Sequence, residues 1–162
     1  MAKSDTALAG FNKSITCPAS VFPAFAEDIG LDEKIATKIG CGFGAGISRT
    51  GNICGAVSGG IMVIGLKYGK AEPGDDAATE KTRALVRQFI QEFTQKNCSV
   101  NCTELLGHNL SNRDEYNAAA KANLFRTKCP EYVRDAADIL EGILRSARKN
   151  PNSDENLQHN PE

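Results

Sequence analysis

CGAVSGGIMVIGLKYG, residues 54–69, is the stretch on which the fold turns. Val57, Ile61 and Ile64 share one side of a helix, while Gly55, Gly59 and Gly60 leave bare backbone that a neighbour can approach closely. A helix with no polar face is buried all round, so it needs partners on every side. The expectation is therefore an all-α, single-domain helical bundle with this glycine-rich helix at its centre. Gly69 ends the helix after Lys67 and Tyr68. The most apolar run, Ile53 to Leu66, is too short to cross a bilayer comfortably.

The flanking sequence supplies the partners. Upstream, Cys17-Pro18 opens a helix directed toward Ile29, with Pro18 tolerated in the first turn, Pro23 marking a kink or break, and Gly30 a stop. Asp32 caps a second helix through Ile39, and CGFGAGISRTGN, residues 41–52, is too rich in glycine to continue it and reads as a loop. Downstream, Pro73-Gly74 is a turn. Asp75 to Lys96 is the longest amphipathic segment, with Leu85, Phe89 and Phe93 four residues apart. A short helix begins near Asn101-Cys102, carries Leu105 and Leu106 and stops at Gly107; a weaker one covers Asn112 to Leu124. Cys129-Pro130 opens the last helix, with Val133, Ala136, Ala137, Leu140 and Leu144 on its inner side. This gives a helical domain over residues 1–147 and a polar, proline-containing tail over 148–162. No alternating strand longer than four residues, no repeat and no low-complexity tract stands out.

The chain has 162 residues, 41 % of them apolar, enough for one modest core. Nineteen basic against twenty acidic residues leave a net charge of -1, which gives no electrostatic reason to expect a nucleic acid or an anionic membrane as partner. The opening MAKSDTALAGFNKS lacks the long apolar core of a secretion signal, so a soluble cytoplasmic protein is expected. Six cysteines are more than an ordinary cytosolic domain needs. In a reducing compartment they point to metal binding or redox chemistry rather than to disulfide staples.

Cys17, Cys54, Cys102 and Cys129 each fall at or just before an expected helix start. The free N–H groups and positive dipole end there favour thiolate over thiol, and thiolate is the form that attacks disulfides and binds metals. Each cysteine alone is as well explained as a small core residue; four at helix starts point to one gathered sulfur site. Cys41 and Cys98 lie at helix ends and are read as structural or supporting. There is no C-x-x-C pair, zinc-finger histidine spacing or haem-attachment motif, whereas single ligands from several helices remain compatible with an iron–sulfur cluster.

CGAVSG, residues 54–59, matches a C-G-A-x-x-G core, and GFGAGISRTG, GLKYG, VNCTELLG and KCPEYVRDAADIL extend the likeness over roughly residues 17–144. In these motifs the chain resembles the small redox-active proteins named for their C-GCAxxG-C-C pattern. The resemblance puts the four characteristic cysteines on Cys17, Cys54, Cys102 and Cys129, the four found from helix starts. The family is similar to the iron–sulfur part of split-Soret cytochrome c, which implies a helical bundle, a homodimer and a cysteine-bound cluster of the [2Fe–2S] kind. Cys41 and Cys98 go beyond the family's pattern, and the haem function of that relative is not carried over.

The loop before Cys54 can form a nest of N–H groups that covers the sulfurs, with Gly44, Gly46 and Arg49 in it and Gly55 just beyond as candidate cofactor-binding residues. It reads equally as a tight connection needing glycine dihedrals. It lacks the G-K-[ST] ending of a phosphate loop and follows no strand. Arg49 is read either as a cation facing the cluster or a redox partner, or as a solvated arginine; His108 as an iron ligand or proton relay, or as a turn residue. His159 lies in the tail. So few histidines leave little material for a hydrolase. The expected function is a redox-active iron–sulfur protein working with a protein redox partner. The alternatives are a metal-free thiol–disulfide oxidoreductase attacking through a residue such as Cys54, and a zinc-binding structural protein.

Overall fold

The computed structural model describes residues 1–13 and 16–149. These form an all-α bundle, and no strand occurs among them beyond one isolated antiparallel bridge between Ile53 and Asn101. In chain order the elements are α1 (Lys3–Asn12), α2 (Cys17–Ala24), α3 (Ala26–Ile29), α4 (Glu33–Cys41), α5 (Gly44–Ile47), which is a left-handed turn within the expected loop rather than a regular helix, and α6 (Gly55–Tyr68). They continue as α7 (Asp76–Asn97), α8 (Cys102–Leu106), α9 (Arg113–Lys121), α10 (Leu124–Thr127) and α11 (Cys129–Lys149).

α6 is the central element, packed against α2, α7 and α11. Its glycines set the approach distances. A Cβ on Gly59 would sit 3.1 Å from the Pro18 carbonyl oxygen and from Val21 Cβ on α2, and one on Gly60 would sit 2.4 Å from the Phe89 ring on α7. Phe89 and Phe93 of α7, Phe25, Val57, Val63, Ile64 and Leu140 of α11 fill the core without solvent exposure beyond 1 %. α4 lies on α2 through the same device, since a Cβ on Gly40 would come within 2.8 Å of the Ala19 backbone.

The caps explain the element boundaries. Asp32, Asp75, Asn101 and Asn112 each accept a backbone N–H from the first turn of the helix they precede, at 3.0, 3.0, 3.2 and 2.9 Å. The segment expected as one helix from Cys17 to Ile29 breaks at Phe25, two residues after Pro23, and Gly30 closes α3 in the left-handed conformation. The segment expected as one helix to Leu124 ends instead at Lys121, because Asn123 takes φ 58° and redirects the chain into α10.

Two further elements differ from expectation. α1 was read only as lacking a signal core, yet Ser4, Ala7, Leu8 and Phe11 make a helical face that docks on α2 and α11. α11 continues through Arg148 and Lys149, two residues into the segment read as tail; residues 150–162 lie outside the described residues. Arg148 is held by Asp28 at 3.2 Å, and Lys3 binds the same carboxylate, so one side chain of α3 ties both ends of the bundle. A second ion pair, Lys96 to the buried Asp135 at 2.8 Å, joins α7 to α11.

Candidate redox site

The four helix-start cysteines line one cavity of about 340 Å³. Cys17 is the first residue of α2, Cys54 precedes α6, Cys102 opens α8 and Cys129 opens α11, so four helix N-termini meet around this space. Cys54, Cys102 and Cys129 are buried and Cys17 is partly buried. None of the six cysteines is bridged. Cys41 and Cys98 are exposed and do not line the cavity.

Backbone bonds hold two of the sulfur-bearing loops in register. The Cys54 amide donates to the Val100 carbonyl and the Cys102 amide donates to the Asn52 carbonyl, each at 2.7 Å, and the Thr103 amide adds a bond to the Gly51 carbonyl at 3.0 Å. This is the Ile53–Asn101 bridge. Across the cavity, the Tyr132 hydroxyl donates to the Leu105 carbonyl at 2.9 Å and ties α11 to α8. Cys17 and Cys129 are in direct contact through a hydrogen bond between their side chains.

Most of the remaining wall is apolar or aromatic, with Phe11, Leu105, Leu106, Tyr116, Phe125 and Tyr132; Thr16 and the cationic Arg126 also line it. Tyr116 and Phe125 pack ring on ring at 5.3 Å, and the Arg49 guanidinium lies 4.3 Å over the Tyr116 ring. Sequence reading did not single out these side chains. Tyr132 was findable, since it lies three residues after Cys129 on the same helical face. Phe11 was hidden with α1, and Tyr116 and Phe125 reach the wall only because of the turn at Asn123.

The glycine loop adopts an unusual backbone. Ala45, Gly46, Ile47, Ser48 and Arg49 all have positive φ, between 50° and 68°. A left-handed residue other than glycine costs roughly 1–2 kcal/mol, so the run persists because local bonds oppose the strain. The Ser48 hydroxyl donates to the Gly42 carbonyl at 2.7 Å, the Thr50 hydroxyl to the Gly46 carbonyl at 2.6 Å, and the Asn52 amide to the same carbonyl at 3.0 Å. The result sets Ala45 on the cavity wall and carries Arg49 to Tyr116. Gly44 and Gly46 flank Ala45 without lining the cavity; Gly55 lines it. His108 is off the wall, its Nδ1 3.0 Å from the Leu106 carbonyl.

Burial reverses the simple expectation of four activated thiolates. It pushes the Cys54 thiol up to about 11, although the amides of Ala56 and Val57 at the start of α6 pull the other way. It likewise raises Cys102, with the neighbouring sulfurs adding to the effect. Cys17 is raised chiefly by its hydrogen bond to Cys129, and Cys129 is the one thiol held below its ordinary value, by the same bond. Helix ends favour negative charge here, but loss of water outweighs them at Cys54 and Cys102, and at Cys17 the bond to Cys129 is the larger opposing cause.

The wall offers four soft sulfurs and neither a carboxylate nor an imidazole. Such a donor set suits iron–sulfur clusters, zinc or copper(I). Among the described residues no three His, Cys, Asp or Glu side chains gather as they would around a single metal ion. The buried Thr16 Oγ1, also on the wall, has no hydrogen-bond partner.

The family model described as "Putative redox-active protein (C_GCAxxG_C_C)" matches residues 15–143. The chain belongs to this C_GCAxxG_C_C family. No curated protein and no solved structure matches significantly. The family's label places glycine before cysteine ahead of A-x-x-G, whereas this member has Cys54-Gly55 ahead of Ala56 and Gly59, the reverse order. Packing gives a reason: a Cβ at position 55 would lie 2.5 Å from Cδ of the buried Pro18, the residue after Cys17. Among the described residues of this C_GCAxxG_C_C protein, no helix is long and apolar enough to cross a membrane.

Proposed function

We propose that this C_GCAxxG_C_C protein is an electron-transfer protein in which Cys17, Cys54, Cys102 and Cys129 hold an iron–sulfur cluster of the [2Fe–2S] kind. The observation that carries the reading is the meeting of four unbridged cysteines, from four separate helix starts, on the wall of one cavity. A volume of about 340 Å³ ringed by sulfur suits a group of several atoms better than a lone ion. When bound, such a cluster supplies one-electron chemistry at a potential set by charge, burial and hydrogen bonds to its sulfurs.

The chain's own residues have definable parts in this. The Ile53–Asn101 bridge holds Cys54 and Cys102 side by side. Ala56 and Val57 offer N–H groups to the Cys54 sulfur. Phe11, Leu105, Leu106 and Phe125 make much of the wall apolar, and the Arg49 guanidinium stacks on Tyr116 of that wall. Binding requires the thiols to lose their protons, and the positive ends of α2, α6, α8 and α11 favour the resulting anions. The same reading includes a homodimer, a protein redox partner and a cytoplasmic setting that keeps the thiols reduced.

Anaerobic purification tests it. The expected product is brown, with stoichiometric iron and acid-labile sulfide; colourless protein without iron prepared in that way overturns the reading, and zinc in its place supports a structural site. A second reading, a dithiol oxidoreductase, is favoured by the Cys17–Cys129 contact. There the two thiols give two electrons and two protons to an incoming disulfide as their own S–S bond forms. Mixed-disulfide trapping at Cys129 in iron-free, active protein supports that reading.

A further inference from the structure

The geometry points to a docking face for an acidic electron-carrier protein on α4 and the left-handed loop, the loop being the part that borders the sulfur cavity. Ile35, Ile39, Phe43 and Ile47 recur every four residues and are 50, 47, 36 and 40 % exposed. Ile35 and Ile39 share one face of α4, and Phe43 and Ile47 follow in the turn and left-handed loop that continue from it, so large exposed apolar side chains run along this stretch. Nothing in the bundle requires them to be outside, because α4 is anchored to α2 on its other side by Ala36 and Gly40.

Charge selects the occupant. From Lys34 to Arg49, the span of this face, the chain carries three basic residues and no acidic one, although the whole protein is slightly negative. Lys34 and Lys38 are exposed one step round α4 from Ile35 and Ile39, and Arg49 is exposed at the far end of the stripe. Of the acidic groups closest to it, Asp32 is turned to its own helix, accepting the Ile35 amide at 3.0 Å, and Glu33 stands in the first turn of α4; the basic residues hold the length beyond them. An apolar centre with a cationic rim is complementary to an apolar patch rimmed by carboxylates.

Size and position agree. Four half-exposed side chains offer on the order of a few hundred Å², which suits the small, transient contacts of redox encounters and falls short of what an obligate dimer buries. Between Phe43 and Ile47 lies Ala45, which lines the sulfur cavity, and the Phe43 carbonyl oxygen is 3.2 Å from where a Cβ on the cavity residue Gly55 would be. A partner seated here is separated from the sulfurs by one layer of backbone. That layer is the strained left-handed run, so the strain serves to thin the wall while holding the stripe outward. The inference rests on the redox reading above.

The test is calorimetric titration of the anaerobically purified full chain with two acidic carriers, a flavodoxin and a [2Fe–2S] ferredoxin. Basic cytochrome c serves as the opposite-charge control. Binding of an acidic carrier is expected at low salt, weakening about tenfold or more at 0.5 M salt. Ile39→Glu and the double reversal Lys34→Glu/Lys38→Glu should each weaken it about tenfold or more, with Ile35→Ser as the milder variant if either misfolds. Absence of binding to both acidic carriers, binding unaffected by these variants, or equal binding of cytochrome c overturns the inference. So does a dimer in sedimentation that Ile39→Glu converts to monomer, since the stripe is then a seam between copies. Iron content is measured on the same samples: iron-free protein that still binds at this face overturns the cluster, not the face.

Discussion

Gly55→Ala is the sharpest probe of how the cavity is assembled. The added Cβ would lie 2.5 Å from Pro18 Cδ and 3.2 Å from both Pro18 Cγ and the Phe43 carbonyl oxygen. Non-bonded carbons need about 3.5–4.0 Å, so the starts of α2 and α6 must move apart by about 1 Å, and the Pro18 ring is rigid and buried. Overpacking of this kind costs about 1–3 kcal/mol, offset by at most about 1 kcal/mol of better helix propensity. The expected net loss is about 1–2 kcal/mol. Because Cys17 and Cys54 sit on the two parts that separate, bound iron per chain should fall as well. Pro18→Ala removes the obstacle. Urea unfolding of the iron-free single and double variants should give a favourable coupling of about 1–2 kcal/mol, with iron content recovering in the double. Additivity within about 0.5 kcal/mol would show that the Pro18–Gly55 contact does not set the spacing. Exchanging the order to Cys54→Gly/Gly55→Cys should meet the same obstacle and should also be rescued by Pro18→Ala.

Replacing Cys17, Cys54, Cys102 or Cys129 singly with Ser should bring iron and sulfide to background, whereas Cys41→Ser and Cys98→Ser should leave both unchanged by colorimetric analysis. Cys98 closes α7 at φ 68° and is exposed, so Cys98→Gly should raise stability by about 0.5–1 kcal/mol in urea titrations. Tyr132→Phe, which loses the bond to the Leu105 carbonyl, should cost about 0.5–1.5 kcal/mol by the same assay. Burial alone would raise the Asp28 carboxyl, but the hydrogen bonds from Lys3 and Arg148 outweigh it and hold it below its ordinary range. A depressed carboxylate stabilises the fold above its unfolded value and loses that contribution as pH falls through the folded one. Wild-type stability should therefore drop below pH of about 4 more steeply than that of Asp28→Asn, measured by thermal melts across the acid range.

What the sequence made legible was the part governed by local chemistry. The α6 pattern of glycine and aliphatic residues, and the Asp and Asn caps, needed no tertiary information to interpret. The four cysteines were recognisable because helix starts can be read locally; that they meet on one cavity is a tertiary fact. Three features were illegible for physical reasons. α1 is short and weakly amphipathic, stabilised by docking rather than by its own pattern. The loop over residues 45–49 takes left-handed dihedrals at Ala, Ile, Ser and Arg, residue types that do not announce them. The raised thiols reflect burial, which helix position alone does not report.

The four sulfurs come from positions spread between 17 and 129, one from each of α2, α6, α8 and α11. No shorter length of chain contains the set. During synthesis, Cys129 must leave the ribosome before the quartet exists, so at most three of the four sulfurs can come together until most of the polypeptide has been made. On the proposed reading, a full set of ligands is then a late event in synthesis, and a truncation upstream of α11 lacks one of the four sulfurs.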